Sequence, residues 1–422
     1  ATTANTATIS NASFDDNNSN GFRIYVYGNV TLNTVNASDN FSSGGFVDNC
    51  RWNGSGCDGT GNVTITSATG STFNSNGYQG ITIVTNGITK ITNINANSNT
   101  DNGVFIDSTN NTGSFSLQNP GTKSLNTISD NGGFGVYLNS LGTILVNKVT
   151  AENNYYSNLY LVTTSTAASA VTLTNSATNG SVLNDGFFIQ SGGGVIVKLV
   201  TASNNYNKGG YIDTFANQNA LVTTSIFNNN GYFGLEVNSD GNVTLNAITV
   251  NGNDDVGLRV SNTTGSGKVE ILSTLGENFF NDNAYHGMYI TTNGDVTLSK
   301  VTANSNGFMG INISSAGPSG LLKLDTIITK TNGQTGISLF SNGKVTINKA
   351  TSLYNGTSNN TDGLNVTTNS ADGVTITNSY FIGNEGSGIE ANVTTVNLVF
   401  ITNTVYLGND SDNTGDLDLN IY

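Results

Sequence analysis

The densest set of ionisable side chains in the chain is Asp254, Asp255, Arg259, Asp282 and His286. Paired carboxylates with a His or Arg to orient them are what a hydrolase uses for acid and base work. His286 is the only histidine, so any His-dependent triad or two-His metal site within one chain has a single candidate. It stands directly before Gly287 in a turn, and the favoured reading of the whole group is turn solubility with an ion pair between neighbouring segments. A second set, Asp410-Ser-Asp412-Asn-Thr-Gly-Asp416-Leu-Asp418, begins as a calcium loop does, with oxygen ligands at alternate positions and Gly at the sixth. The bidentate acid expected at the twelfth position is Ile421, so a plain acidic turn is preferred and no cofactor is expected. Asp15-Asp16-Asn17-Asn18 is a lesser calcium candidate. Cys50 and Cys57 enclose six residues that are flexible enough to close a loop, with no third cysteine to build a zinc site. A disulfide is expected there, which agrees with an extracytoplasmic location; two free thiols in a cytosolic protein are the alternative.

The rest of the chain offers little chemistry. Charged residues make up 10% of it and the formal charge is -14, with 14 Lys plus Arg against 28 Asp plus Glu. Neither a nucleic-acid surface nor an anionic membrane surface suits that balance. No apolar run is long enough to span a membrane, and no charged leader precedes Ala1, so a soluble or already processed chain is expected. Helix formers are scarce while β-branched and aromatic residues are spread throughout, which disfavours helical folds. No compositional break marks a domain boundary.

What must position any site is a repeat. One phrase is Gly, apolar, variable, apolar: Gly234-Leu-Glu-Val237, Gly257-Leu-Arg-Val260, Gly287-Met-Tyr-Ile290, Gly310-Ile-Asn-Ile313, Gly336-Ile-Ser-Leu339 and Gly363-Leu-Asn-Val366. Successive glycines differ by 23, 30, 23, 26 and 27. A second phrase follows, as in Val30-Thr-Leu-Asn-Thr-Val35, Ile144-Leu-Val-Asn-Lys-Val149, Val243-Thr-Leu-Asn-Ala-Ile248 and Val345-Thr-Ile-Asn-Lys-Ala350. Its apolar positions are two apart and then three apart, so an extra residue marks a corner, expected at Asn33, Asn147, Asn246 or Asn348 because Asn tolerates the left-handed conformation. Each unit has one apolar stripe and can bury it only by stacking on its neighbours. The fold class expected is all-β: a parallel β-helix of about 15 coils of about 25 residues, forming a rod on the order of 70 Å long. A β-propeller is the rival, but its blades need hairpin turns where single-residue bends are read here. One domain over 1–422 is expected, with terminal strands or caps at 1–20 and 405–422.

Runs such as Gly241-Asn-Val-Thr-Leu-Asn-Ala-Ile-Thr-Val-Asn-Gly-Asn253 and Gly343-Lys-Val-Thr-Ile-Asn-Lys-Ala-Thr351 resemble the right-handed parallel β-helix repeat proteins of bacterial surfaces. The resemblance covers nearly the whole chain and implies a secreted or surface-displayed rod; right-handedness follows from it and from the rule for parallel crossovers. Pectin-degrading hydrolases of this fold class carry Asn-Thr-Asp, Asp-Asp, Gly-His-Gly and Arg-x-Lys in short succession. Here Asn99-Thr-Asp101 lies far from Asp254-Asp255, Tyr285 precedes His286, and Arg-x-Lys is missing, which counts against that activity. Lyases of the same shape need a calcium-binding acidic cluster facing a basic residue, and only Arg23, Arg51 and Arg259 are arginines.

The variable position of the Gly phrase is expected to face outward. It runs Thr82, Phe105, Tyr137, Tyr160, Phe188 and Ile212, then Glu236, Arg259, Tyr289, Asn312, Ser338, Asn365 and Glu390. The aromatic part is expected to be a contact ladder for a host protein or a second rod, a wall covered by the chain's own insertions, or a glycan-binding stripe. Ala1-Thr-Thr-Ala-Asn-Thr-Ala-Thr-Ile9 and Leu417-Asp-Leu-Asn-Ile-Tyr422 read as strands, so open ends are expected to join rod to rod. The leading expectation is therefore a non-enzymatic extracellular filament, sheath or surface-layer subunit, a homo-polymer through its terminal strands with no membrane insertion. An adhesin or glycan-binding rod is the alternative, and a polysaccharide-degrading enzyme the third.

Overall fold

The computed structural model describes residues 5–51, 54, 56–108, 113–119, 126–163, 169–215, 217–318, 320–357, 361–393, 399–409 and 417–421. The chain divides into two compact units, Ala1–Ala216 and Asn217–Tyr422. Among the described residues there are strands and turns and no helix. Over both units the strands make a parallel β-solenoid of about 15 turns spaced about 25 residues apart.

In the first unit the Gly phrases form one sheet that includes Val104–Ser108, Val136–Ser140, Leu159–Thr163, Phe187–Ser191 and Gly210–Thr214, all parallel and in register. In the second unit the corresponding sheet runs from Leu235–Ser239 through Leu258–Asn262, Met288–Thr292, Ile311–Ser315, Ile337–Ser341 and Leu364–Thr368 to Ile389–Val393 and Leu417–Ile421. The Val phrases build the facing sheet of each unit, for example Val296–Asn304, Leu322–Lys330 and Val345–Leu353. Propeller blades require antiparallel neighbours, and every described pairing here is parallel.

Alternation puts Leu258 and Val260 inward with no exposed surface, as are Val243, Leu245 and Ile248 on the facing sheet. Full burial of each such side chain contributes roughly 1.5–3 kcal/mol. The corner falls one residue later than expected: the left-handed residues are Thr34, Lys148, Ala247 and Lys349, with φ of 53, 57, 56 and 56°. The preceding Asn instead ties neighbouring turns together. Asn147 Oδ1 accepts from Asn175 Nδ2 at 2.8 Å and from Thr174 at 3.0 Å, and Asn348 Oδ1 accepts from Asn378 Nδ2 at 2.9 Å.

The other turn holds a buried ladder of asparagines, in most turns four residues before the phrase Gly. In the second unit it runs Asn230, Asn253, Asn283, Asn306, Asn332, Asn355, Asn384, Asn409; from Asn253 to Asn384 each donates both its backbone N–H and its Nδ2 to Oδ1 of the next, at 2.8–3.1 Å. The phrase Gly is required by this ladder. A Cβ at Gly310 would sit 2.8 Å from both Asn332 Nδ2 and the Gly336 carbonyl.

Candidate active site

The second unit gathers part of the predicted ionisable set into a cleft of about 450 Å³ lined by Phe233, Asp255, Val256, Arg259, Tyr285, His286, Tyr289, Phe308 and Asn312. Register explains the gathering. Glu236, Arg259, Tyr289 and Asn312 are outward residues of four successive strands and lie side by side. The turns beside them are stitched by backbone bonds: Tyr285 N–H donates to the Asp255 carbonyl at 3.2 Å, Phe308 N–H to the Tyr285 carbonyl at 2.9 Å, and Gly257 N–H to the His286 carbonyl at 2.9 Å. Residues far apart in the chain thus meet because neighbouring turns stack about 4.8 Å apart.

Arg259 Nη1 donates to Glu236 Oε1 at 2.8 Å; the Glu236 side chain is 5% exposed and that of Arg259 41%. The guanidinium also lies over the Phe233 ring, 5.5 Å from its centroid. Tyr285 stacks on Phe308 with centroids 4.6 Å apart, while His286 sits parallel to Tyr289 at 5.5 Å and edge-on to Phe308 at 5.0 Å. Burial in this aromatic surround lowers the His286 pKa to about 4, with a hydrogen bond to the Met309 backbone opposing. The imidazole is therefore neutral at physiological pH. Its Nδ1 is buried and has no hydrogen-bond partner among the described residues, an uncommon state that native structures keep mainly for a reason. Burial raises the Asp255 carboxyl above the ordinary range, opposed by the Val256 backbone N–H and the Arg259 charge.

Of the predicted set, Asp255, Arg259 and His286 come together. Asp254 and Asp282 are exposed on the adjoining turns, and neither lines the cleft. The aromatic walls were not anticipated as part of a site; Phe233, Tyr285 and Phe308 flank the phrase Gly, and the register of turns is the signal that finds them. Also unforeseen is a carboxyl pair, the buried Asp362 and the half-buried Glu390, which converge on the side-chain amide of Asn365. The glutamate was read only as an outward residue.

In the first unit four of the five residues expected in the contact ladder stack on one another. Phe105, Tyr137, Tyr160 and Phe188 stack with centroids 5.0 Å apart and ring planes within 7°. Ile212 is a correction: it is fully buried opposite Ile189, and Tyr211 takes the outer place, 4.9 Å from Phe188. Two glycines precede it, and Gly210 occupies the inward apolar position of the phrase, so the count shifts by one. The ring faces cover one another and leave mainly edges outward. Phe134, within 5.2–5.5 Å of Tyr137, Tyr156 and Tyr160, covers part of the stack from the chain itself. Cys50 and Cys57 are joined by a disulfide. Asp410, Asp412 and Asp416 of the calcium candidate lie outside the described residues; Asp418 stands on Leu417–Ile421 opposite Glu390. Among the described residues no group of three His, Cys, Asp or Glu is placed to hold a metal ion.

Residues 124–273 and 164–327 match the family model described as a right handed beta helix region. No curated protein sequence matches this β-helix chain. It is similar to the solved structure of pectate lyase Pel9A, at 15% identity and a TM-score of 0.32 over 66% of this chain and 70% of that one. It is also similar to the A-modules of two Azotobacter vinelandii mannuronan C-5 epimerases, each at 13% identity. For AlgE6 the TM-score is 0.31 over 90% of both chains, and for AlgE4 it is 0.25 over 88% of this chain and 89% of that one. The likeness is one of fold. The expectations of a non-enzymatic filament, sheath or surface-layer subunit, and of a chain that is not an enzyme, are corrected on this finding: the β-helices that the chain is similar to are named as a lyase and epimerases.

Proposed function

We propose that this β-helix is an enzyme that acts on a polysaccharide at the cleft of Asp255, Arg259, His286 and Tyr289. The observation that carries the reading is the convergence, from successive turns, of three functional groups between aromatic walls: a carboxyl with a raised pKa, a neutral imidazole and a fixed guanidinium. A carboxyl and a neutral imidazole in one cleft can between them give and take a proton. Asp255 and His286 are assigned as the proton-transferring pair, with Arg259 orienting the sugar. The open side of the cleft admits a chain rather than an enclosed small molecule. The disulfide supports an oxidising, extracellular setting, and among the described residues no helix is long and apolar enough to cross a membrane.

The test is a panel of soluble polysaccharides incubated with the purified chain, following new reducing ends and the ultraviolet absorbance of unsaturated sugars. Asp255→Asn and His286→Gln are expected to slow turnover by about 100-fold or more. A panel left unchanged by the wild type, or variants as active as the wild type, refutes the assignment.

A further inference from the structure

The charges around the cleft do not suit an anionic ligand. Arg259 is the one cation lining it, and Glu236 already neutralises that cation at 2.8 Å from a nearly buried position. Asp255 adds a carboxylate on the same wall, and Asp254 and Asp282 stand exposed on the adjoining turns. His286 supplies no positive charge. The whole chain carries -14, so the wider field is negative as well. What the cleft does offer is apolar and neutral polar surface. Tyr285, 42% exposed, and Phe308 form a stacked pair, Tyr289 stands beside His286, and Asn312 follows in register.

Resting on the reading of this cleft as a polysaccharide site, we propose that it takes an uncharged polysaccharide, packed against the exposed sides of the stacked Tyr285 and Phe308 rings, and excludes polyuronates. An uncharged sugar chain presents hydroxyls for Asn312, Tyr289 and the guanidinium, and C–H faces for the rings. A polyuronate brings one carboxylate per sugar, and Arg259 has no charge left over to balance it. The carboxylate nearest Asp255 then stands uncompensated, a repulsion that costs at least about tenfold in affinity.

Affinity electrophoresis of the full chain tests this. Gels contain mixed-linkage β-glucan, arabinoxylan or galactomannan as uncharged probes, and polygalacturonate or alginate as anionic ones, each run with calcium and with EDTA. Retardation by an uncharged polymer and none by the polyuronates is the expected result. Retardation by a polyuronate alone overturns this inference and leaves the proposed function standing; retardation by no polymer overturns both. The double variant Glu236→Gln, Asp255→Asn frees Arg259 and removes the carboxylate, so it is expected to gain at least about tenfold in retention by polygalacturonate. A double variant with wild-type circular dichroism and no such gain shows that charge is not what excludes polyuronates, and the inference falls.

Discussion

Asp362 and Glu390 make stability depend on pH in an uncommon direction. The Asp362 side chain is buried, at 5% exposed. Its Oδ1 accepts from Ser387 N–H at 2.9 Å, and its Oδ2 accepts from Asn365 Nδ2 at 3.2 Å. The same Nδ2 donates to Glu390 Oε2 at 2.5 Å, while Glu390 Oε1 accepts from Asn392 at 3.0 Å. Asp418 stands opposite Glu390 on the next strand, and no ion pair joins Asp362 or Glu390 to a cation among the described residues. Two carboxylates sharing one amide without a cation cannot both ionise cheaply. Burial first, and then the hydrogen bond and charge of Glu390, push Asp362 from its ordinary 3.8 up to about 7, with the Asn365 and Ser387 hydrogen bonds opposing. The unfolded chain releases this proton near pH 4 and the folded chain near 7, so between those values the folded state binds more protons. Stability therefore falls as pH rises through that window, by up to about 4 kcal/mol for three units at about 1.4 kcal/mol each. Asp362→Asn keeps an oxygen for Ser387 N–H and, with the Asn365 amide turned over, a donor for Glu390. It is expected to match the wild type at pH 4 and to exceed it at pH 8 by on the order of 10 °C in melting temperature. Thermal unfolding by circular dichroism from pH 4 to 8.5 measures this. A wild-type melting temperature that stays flat or rises across that range, or an Asn variant with the same slope as the wild type, refutes the raised Asp362 pKa.

Three further outcomes are expected. Asn306 bonds Asn332 Oδ1 and the Phe280 carbonyl through Nδ2 and accepts twice from Asn283, so Asn306→Ala should cost about 3 kcal/mol or more in a denaturant titration; a cost under about 1 kcal/mol refutes a load on the ladder. His286 is the only histidine, so its ring proton resonance is unique in the NMR spectrum and should titrate near 4 rather than 6.5. Because this pKa is lowered on folding, the His286 contribution is full above 6.5 and is lost as pH falls toward 4. Lys349 holds φ of 56°, where a β-branched side chain is strained, so Lys349→Val should destabilise by about 1–2 kcal/mol and Lys349→Asn should be close to neutral in the same titration.

The repeat is legible because glycines and alternating apolar residues recur at a nearly constant interval, and a constant interval dictates which residues stack. That also made Asp255, Arg259 and His286 visible as neighbours. The corner shifted from Asn246 to Ala247, and from Asn348 to Lys349, because the asparagine is held by cross-turn hydrogen bonds that a single unit does not contain. The Asn ladder went unread for the same reason. Its members look like ordinary turn residues until each amide finds the next. Tyr211 displaced Ile212 because two glycines in a row leave the phase of the phrase ambiguous, and only the register with Phe188 and Ile189 resolves it.

Sequence by itself therefore determined the parallel stacking, the inward stripe and the set of turns that lie side by side, since all three follow from periodicity. Tertiary structure decided which polar groups carry chemistry. Asp255 faces the cleft and Asp254 solvent although they are adjacent, His286 is neutral, and Asp362 holds its proton to a higher pH than an ordinary carboxyl does, beside Glu390. Each of these depends on desolvation and on charges supplied by neighbouring turns, and neither exists until the turns are stacked.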